Sequence, residues 1–289
     1  MATRKAAHAW ETQPTLEGAG VHLHRAFGFR QVPDLDPFLL LDDFSSYKER
    51  DYIAGFPWHP HRGIETITYM LAGRVEHGDS MGNGGVIGAG DIQWMTAGSG
   101  IIHQEMPKGP GLMSGFQLWA NLPANYKMMD PRYRGLTTDE IPVAIPAEGI
   151  TARVVCGEIG GVAGPVTDIV TDPSYMDITL DPGVEFTKEV PDGHTVFLYV
   201  FEGRAMIPLR DEKGFGHGTV VLFSNEGDEI SFSAGDDGAR FLMISGRPLG
   251  EPVAWYGPIV MNTEEELRQA FDEYENGTFL KQGSNPRDA

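Results

Sequence analysis

The sequence predicts an all-β protein made of two related β-barrel halves and a short C-terminal helix. Three observations carry that prediction. Glycine and proline are abundant, 37 and 20 of 289 residues, and they punctuate short runs rich in β-branched and aromatic residues. The second half repeats the first faintly: TYMLAGR ending at Arg74 resembles LYVFEGR ending at Arg204, and GAGDI around Asp91 resembles NEGDEI around Asp228. Two pairs of potential metal ligands, His59-x-His61 and His103-x-Glu105, sit on strand-like segments with one residue between their members.

Strand geometry gives those pairs their meaning. Successive side chains point to opposite faces of a sheet, so residues two apart point the same way. If the two strands face one interior, three imidazoles and one carboxylate converge. Such donors suit a divalent first-row transition metal and leave coordination positions open for a substrate. His22-x-His24 has the same spacing, but no second ligand pair follows it at short distance, so it is read as a polar strand face.

Composition narrows the function classes. Hydrophobic residues make up 41% of the chain and aromatic ones 10%, enough for a substantial core. The net charge of −19 repels a phosphate backbone, and no basic run extends beyond Arg4-Lys5, which argues against direct nucleic-acid binding. Cys156 is the one cysteine, so no intramolecular disulfide forms. The N-terminus has no apolar core of a secretory signal, and no apolar run approaches the ~20 residues of a membrane helix, so the expected location is cytoplasmic.

Taken in order, residues 21 to 44 read as strands and turns, with Asp36-Pro37 ahead of the apolar run Phe38 to Leu41. Asp42 and Asp43 follow and are expected at a turn or in solvent. Ile64 to Leu71 should be a strand leading away from the first ligand pair. If that strand is continuous with His61, parity places Glu65 on the ligand face, where it competes with Glu105 for the fourth position. Gly73-Arg74 reads as a turn and His77 as a surface or supporting histidine on a loop. Gly88 to Asp91 is another turn and Ile92 to Met95 another strand. Thr96 to Gly100 is small and flexible enough to pass close to the site before His103. Phe116 to Leu122 is a strand ending at Pro123, and residues 125 to 133 read as a short helix broken at Pro131, with Met128 and Met129 in packing roles.

The two-proline segment 137–148 is expected to link an N-terminal metal-binding domain, 1–136, to a C-terminal domain, 149–289. Carrying the repeat across places Glu189 and Pro191 where His59 and His61 stand, and Arg240 and Leu242 where His103 and Glu105 stand. The second barrel is therefore expected to be packed with apolar side chains and free of metal, with His194 structural and His217 on a loop. Thr263-x-x-Glu266 fits a capping box, Leu267, Ala270, Phe271 and Tyr274 form an apolar stripe, and Asn276-Gly277 ends that helix.

GFPWHPHRGIETITYML, GDIQWMTAGSGIIHQEMP, FQLWANLP and the late WYGPIVMNTEEE together resemble the pirin family of bicupins, from about Val21 to Phe279. The resemblance implies two jelly-roll-like cupin barrels with metal in the N-terminal one, held by His59, His61, His103 and Glu105 rather than Glu65. It implies Fe(II), with Mn, Ni, Co, Cu or Zn as other occupants. Two functions follow from it. One is a quercetin 2,3-dioxygenase-like activity that opens a flavonol with O2 and releases carbon monoxide, with Glu105 as ligand and base. The other is a non-enzymatic metal- and redox-sensing regulator of protein partners.

Overall fold

The punctuated runs fold as strands in the computed structural model, which describes residues 2–208 and 214–283. The chain divides into two compact units that exchange segments. The first takes residues 14 to 32, 38 to 138 and 250 onward; the second takes those up to 13, 33 to 37 and 139 to 249. The break between 138 and 139 falls inside the expected linker 137–148, and these units differ from the expected domains 1–136 and 149–289 in the exchanged segments. The segment after Gly250 returns to the first unit because its apolar residues, among them Ala254, Ile259, Met261 and Leu267, share a buried cluster with Ile102.

In the first unit we label the strands β1 (Val21–Phe27), β2 (Phe38–Asp43), β3 (Phe56–His61), β4 (Ile64–Ala72), β5 (Val75–Asp79), β6 (Gly84–Ile87), β7 (Ile92–Thr96), β8 (Ile101–Pro107), β9 (Ser114–Asn121) and β10 (Arg132–Leu136). One sheet runs β10-β7-β4-β9-β2-β1 with Gln13–Glu17 at its edge, and a second runs β3-β8-β5-β6. β4 lies within the first sheet, between β7 and β9, and is buried along most of its length, its Glu65, Thr66 and Thr68 included. In β1 burial alternates, and His22 and His24 fall on the exposed face, which is why that HxH pair meets no other ligand.

Four local expectations change. No helix spans 125 to 133; a single turn, Ala124–Tyr126, precedes β10. Within that segment Met128 is exposed and Lys127 is buried. His77 lies on β5, buried, rather than on a loop. Asp42 and Asp43 are both buried, since β2 is an interior strand whose end stays covered.

The second unit contains β11 (Ile150–Cys156), β12 (Ser174–Leu180), β13 (Glu185–Glu189), β14 (Thr195–Met206), β15 (Thr219–Phe223) and β16 (Glu229–Gly246). Its sheet runs β15-β14-β16-β12-β11, edged by Ala6–Glu11 and Val143–Ala144, and β13 also pairs with β16. One apolar cluster of its core includes Val154, Met176, Phe186, Leu198, Phe232 and Phe241. The expected correspondence of Arg240 and Leu242 with His103 and Glu105 does not hold. Residues 239–246 of β16 pair with β14 and β12 just as β9 pairs with β4 and β2, so they match β9 and not β8. Arg240 instead makes a bidentate pair with Asp177 and a further contact to Glu202.

The segment after Gly250 forms β17 (Ala254–Tyr256), β18 (Ile259–Met261) and the helix Glu264–Glu275. Thr263 and Glu266 make the predicted capping box, and Leu267 and Ala270 are buried while Phe271 and Tyr274 pack beside them. The described residues hold no helix long and apolar enough to cross a membrane.

Candidate metal centre

β3 and β8 lie antiparallel with His59 opposite His103, and strand parity brings His61 onto the same face as His59. The three rings converge, with centroids 4.4 Å apart for His59–His103, 4.8 Å for His59–His61 and 5.0 Å for His61–His103. One nitrogen from each lies within 4.8 Å of the others.

Backbone carbonyls fix two of these rings. His59 Nδ1 is 2.8 Å from the Pro57 carbonyl and His61 Nδ1 is 3.1 Å from that of Pro258. A carbonyl only accepts, so each Nδ1 carries the proton and each Nε2 presents a lone pair. The two Nε2 atoms face each other at 3.1 Å, a repulsive contact that a shared cation turns attractive. His103 is 2% exposed, and neither ring nitrogen has a hydrogen-bond partner among the described residues. Each such unmet group costs about 1–3 kcal/mol. Burial lowers the pKa of all three, those of His61 and His103 well below the usual value, and the neighbouring imidazoles push those two the same way. The rings are therefore neutral at pH 7, the state a metal requires. The orphaned nitrogens and the nitrogen-rich donor set fit a first-row transition ion.

Glu105 stands beside the cluster rather than within it. The ladder slips between His103 and Glu105, so Glu105 lies opposite Phe56. Its carboxylate lines the same cavity as His59 and His61 and accepts a 2.9 Å hydrogen bond from the Thr68 hydroxyl. Burial raises its pKa to about 7, with the Thr68 bond pulling the other way. Glu65 faces elsewhere: the chain breaks at Arg62-Gly63 and changes sheet, parity is lost, and Glu65 accepts from Thr96 at 2.6 Å instead. His77, opposite Glu105 on the neighbouring strand, is held by the Tyr133 hydroxyl at 2.9 Å.

The cluster opens into a cavity of about 690 Å³. Phe56, Trp119, Trp255 and Tyr256 supply aromatic wall, and Thr68, Gln117, Asp42 and Arg25 supply polar lining. Trp119 meets His61 edge-on at 5.1 Å. Arg25 grips Asp42 through two 2.8 Å bonds, and burial nonetheless raises the Asp42 pKa to about 6.

Sequence reasoning missed the groups that brace the centre. Pro258 acts through a backbone carbonyl, which no side-chain pattern reports. Arg62, 2% exposed, bonds to the carbonyls of Ser99 and Phe279, each at 2.7 Å, and pairs with Glu273 at 2.8 Å. It thereby ties the residue after His61 to the terminal helix. Lys127 Nζ donates to the Gly63 carbonyl (2.9 Å), Asn121 Oδ1 (2.6 Å) and the Val260 carbonyl (3.1 Å). Burial pulls its pKa to about 7, while Glu251 and Glu266 oppose that shift. Three acceptors match the three N–H groups of an ammonium, which favours the charged form. Gly63 has φ +78, and a Cβ there would come within 1.9 Å of the Val260 carbonyl, so only glycine lets these segments meet. Lys127→Met keeps the volume, strands Asn121 Oδ1 and the Val260 carbonyl, and leaves the Gly63 carbonyl only the 3.3 Å bond from the Leu122 amide. We expect it to lose about 3 kcal/mol or more in urea denaturation, and a loss below ~0.5 kcal/mol would contradict this bracing role.

The pirin family model matches residues 20–120, and that of the pirin C-terminal cupin domain matches residues 175–280. A pirin-like protein of Caulobacter vibrioides is 46% identical over 273 residues, 92% of this chain and 96% of its own. Human pirin is 41% identical over 264 residues, 90% of this chain and 88% of its own. The crystal structure of a quercetin 2,3-dioxygenase from Acinetobacter baumannii superposes with a TM-score of 0.87 at 36% identity, covering 96% of this chain and 99% of that one. With both family models matched on this all-β chain, the chain belongs to the pirin family, as a bicupin.

Proposed function

We propose that this pirin-family protein is a metal-dependent dioxygenase that opens a flavonol such as quercetin with O2 and releases carbon monoxide. The observation that carries the reading is that His59, His61 and Glu105 open onto one aromatic-walled cavity of about 690 Å³, a volume suited to a small polycyclic ligand. His59, His61, His103 and Glu105 would hold one divalent ion, Fe(II) by family resemblance, with Mn, Ni, Co, Cu or Zn compatible with the same donors. When bound, that ion supplies Lewis-acid polarisation and lowers the pKa of a coordinated hydroxyl.

The chain's own groups do the rest. Glu105 takes the proton of the flavonol 3-hydroxyl onto its carboxylate, and the Thr68 hydroxyl, 2.9 Å from Oε1, orients that carboxylate. Trp119, Phe56 and Trp255 hold the planar ligand and keep water from the reacting end.

The test is oxygen uptake and carbon monoxide release by metal-replete protein given quercetin. The reading predicts that both occur in step with quercetin loss. Fully metallated protein that consumes no oxygen with any flavonol contradicts it and favours the regulatory alternative, in which a surface of net charge −19 meets a protein partner.

A further inference from the structure

A row of polar side chains crosses the cavity wall away from the imidazoles. Arg25 on β1 is the ladder partner of Asp42 on β2, Asp42 that of Gln117 on β9, and Gln117 that of Thr68 on β4. Ladder partners share a face, so all four point into the same interior, and all four line the cavity. At the usual strand spacing the row is roughly 14 Å long. Its inner end touches the metal side, because the Thr68 hydroxyl bridges Glu105 Oε1 at 2.9 Å and Gln117 Oε1 at 2.8 Å. At its outer end Arg25 binds Asp42 and also Glu17 at 2.9 Å. One positive group against two negative ones leaves that end net negative.

We infer that Asp42 and Gln117 form a second recognition point, which reads hydroxyl groups on the part of the aromatic ligand remote from the metal. The inference rests on the dioxygenase reading of the metal end. Asp42 is the acceptor. Its two oxygens offer more lone-pair sites than Arg25 occupies, so a phenolic O–H can be received without breaking the ion pair. Arg25 and Glu17 are positioning residues: the guanidinium holds the Asp42 carboxylate by a rigid two-point fork, and Glu17 holds the guanidinium. The charge balance sets the ligand class. A donor-bearing polyphenol is favoured, and an aromatic acid whose carboxylate reaches this end is repelled. The length of the row requires an elongated ligand, since a single ring bound at the Glu105 end reaches no further than Gln117.

The experiment is ligand binding to metal-loaded protein without oxygen, followed by quenching of tryptophan fluorescence. Trp58, Trp119 and Trp255 line the cavity and report occupancy. The probes are quercetin, 3-hydroxyflavone, which lacks the remote hydroxyls, and 3-hydroxyflavone bearing a carboxylate at the 4′ position. The inference predicts that quercetin binds about tenfold or more tightly than 3-hydroxyflavone, as a hydrogen bond to a charged acceptor warrants. The carboxylate probe should bind more weakly than 3-hydroxyflavone. Asp42→Asn should shrink the quercetin preference to about two- to threefold. If that variant does not fold, Gln117→Met, at a half-buried neutral position, decides with the same expected shrinkage.

A merely structural ion pair would lower the melting temperature and leave the ratio unchanged. An unchanged ratio, no initial preference, or tighter binding of the carboxylate overturns the inference. If 3-hydroxyflavone is bound and oxidised without any preference, only the remote recognition point falls. If no flavonol binds, the dioxygenase reading falls with it.

Discussion

His103→Ala should abolish stoichiometric metal binding while leaving the fold intact. The imidazole is 2% exposed and makes no hydrogen bond among the described residues, so its removal breaks no side-chain hydrogen bond there. What remains is the His59–His61 pair with Glu105 alongside, short of the three imidazoles that meet within 4.8 Å. We expect metal content after purification to fall to about a tenth or less of wild type, since loss of even a supporting group costs about 10–100-fold in affinity. His61→Ala should act similarly. Substitution at His22 or His24, both exposed, or at His194 in the second unit should leave metal content unchanged. Elemental analysis of protein grown and purified without added metal reads all five variants, and full retention in His103→Ala contradicts the assignment.

Glu105→Gln should reduce flavonol turnover per bound metal by about 10²- to 10⁴-fold, the usual worth of a positioned general base. The amide keeps the shape and still accepts the Thr68 hydroxyl, so thermal stability should change little. In the metal-free site burial raises the pKa of this carboxylate to about 7. A bound cation beside it draws it toward the ionised form, which is the state that can accept the proton. Turnover within about threefold of wild type would remove Glu105 from the chemistry.

The sequence disclosed most of this centre because its main cue is local. Two HxH-type spacings translate directly into a shared strand face, and glycine-bounded β-branched runs translate into strands, so His59, His61 and His103 could be placed together before any coordinates. Glu65 failed the same parity argument for a visible reason: Arg62-Gly63 breaks the strand, and the chain resumes in the other sheet. Lys127 was obscured because a lysine between an exposed tyrosine and two methionines reads as surface, and its three acceptors come from segments distant in sequence. The return of residues 255–258 to the cavity was equally hidden, since Pro258 contributes a carbonyl and Trp255 an ordinary apolar wall. The row from Arg25 to Thr68 depends on the register of four strands, which no single-strand pattern encodes.

The second unit shows where a repeat misleads. The GDEI segment around Asp228 does resemble GAGDI, yet β16 runs on as one 18-residue strand where the first unit has separate β7, β8 and β9. With the intervening strand gone, Arg240 takes a pairing position of β9, and its guanidinium goes to Asp177 and Glu202. Similar words in the two halves therefore do not mark equivalent places in the fold.

The central claim is that His59, His61, His103 and Glu105 surround one transition ion. The most direct measurement is anomalous diffraction from crystals of metal-replete protein, collected on both sides of the metal's absorption edge. The account predicts a single strong peak about 2.0–2.3 Å from one nitrogen of each of the three histidines and from a Glu105 oxygen. A peak lying instead among residues 150–250, or no peak beside His103 in protein shown to contain metal, would contradict it.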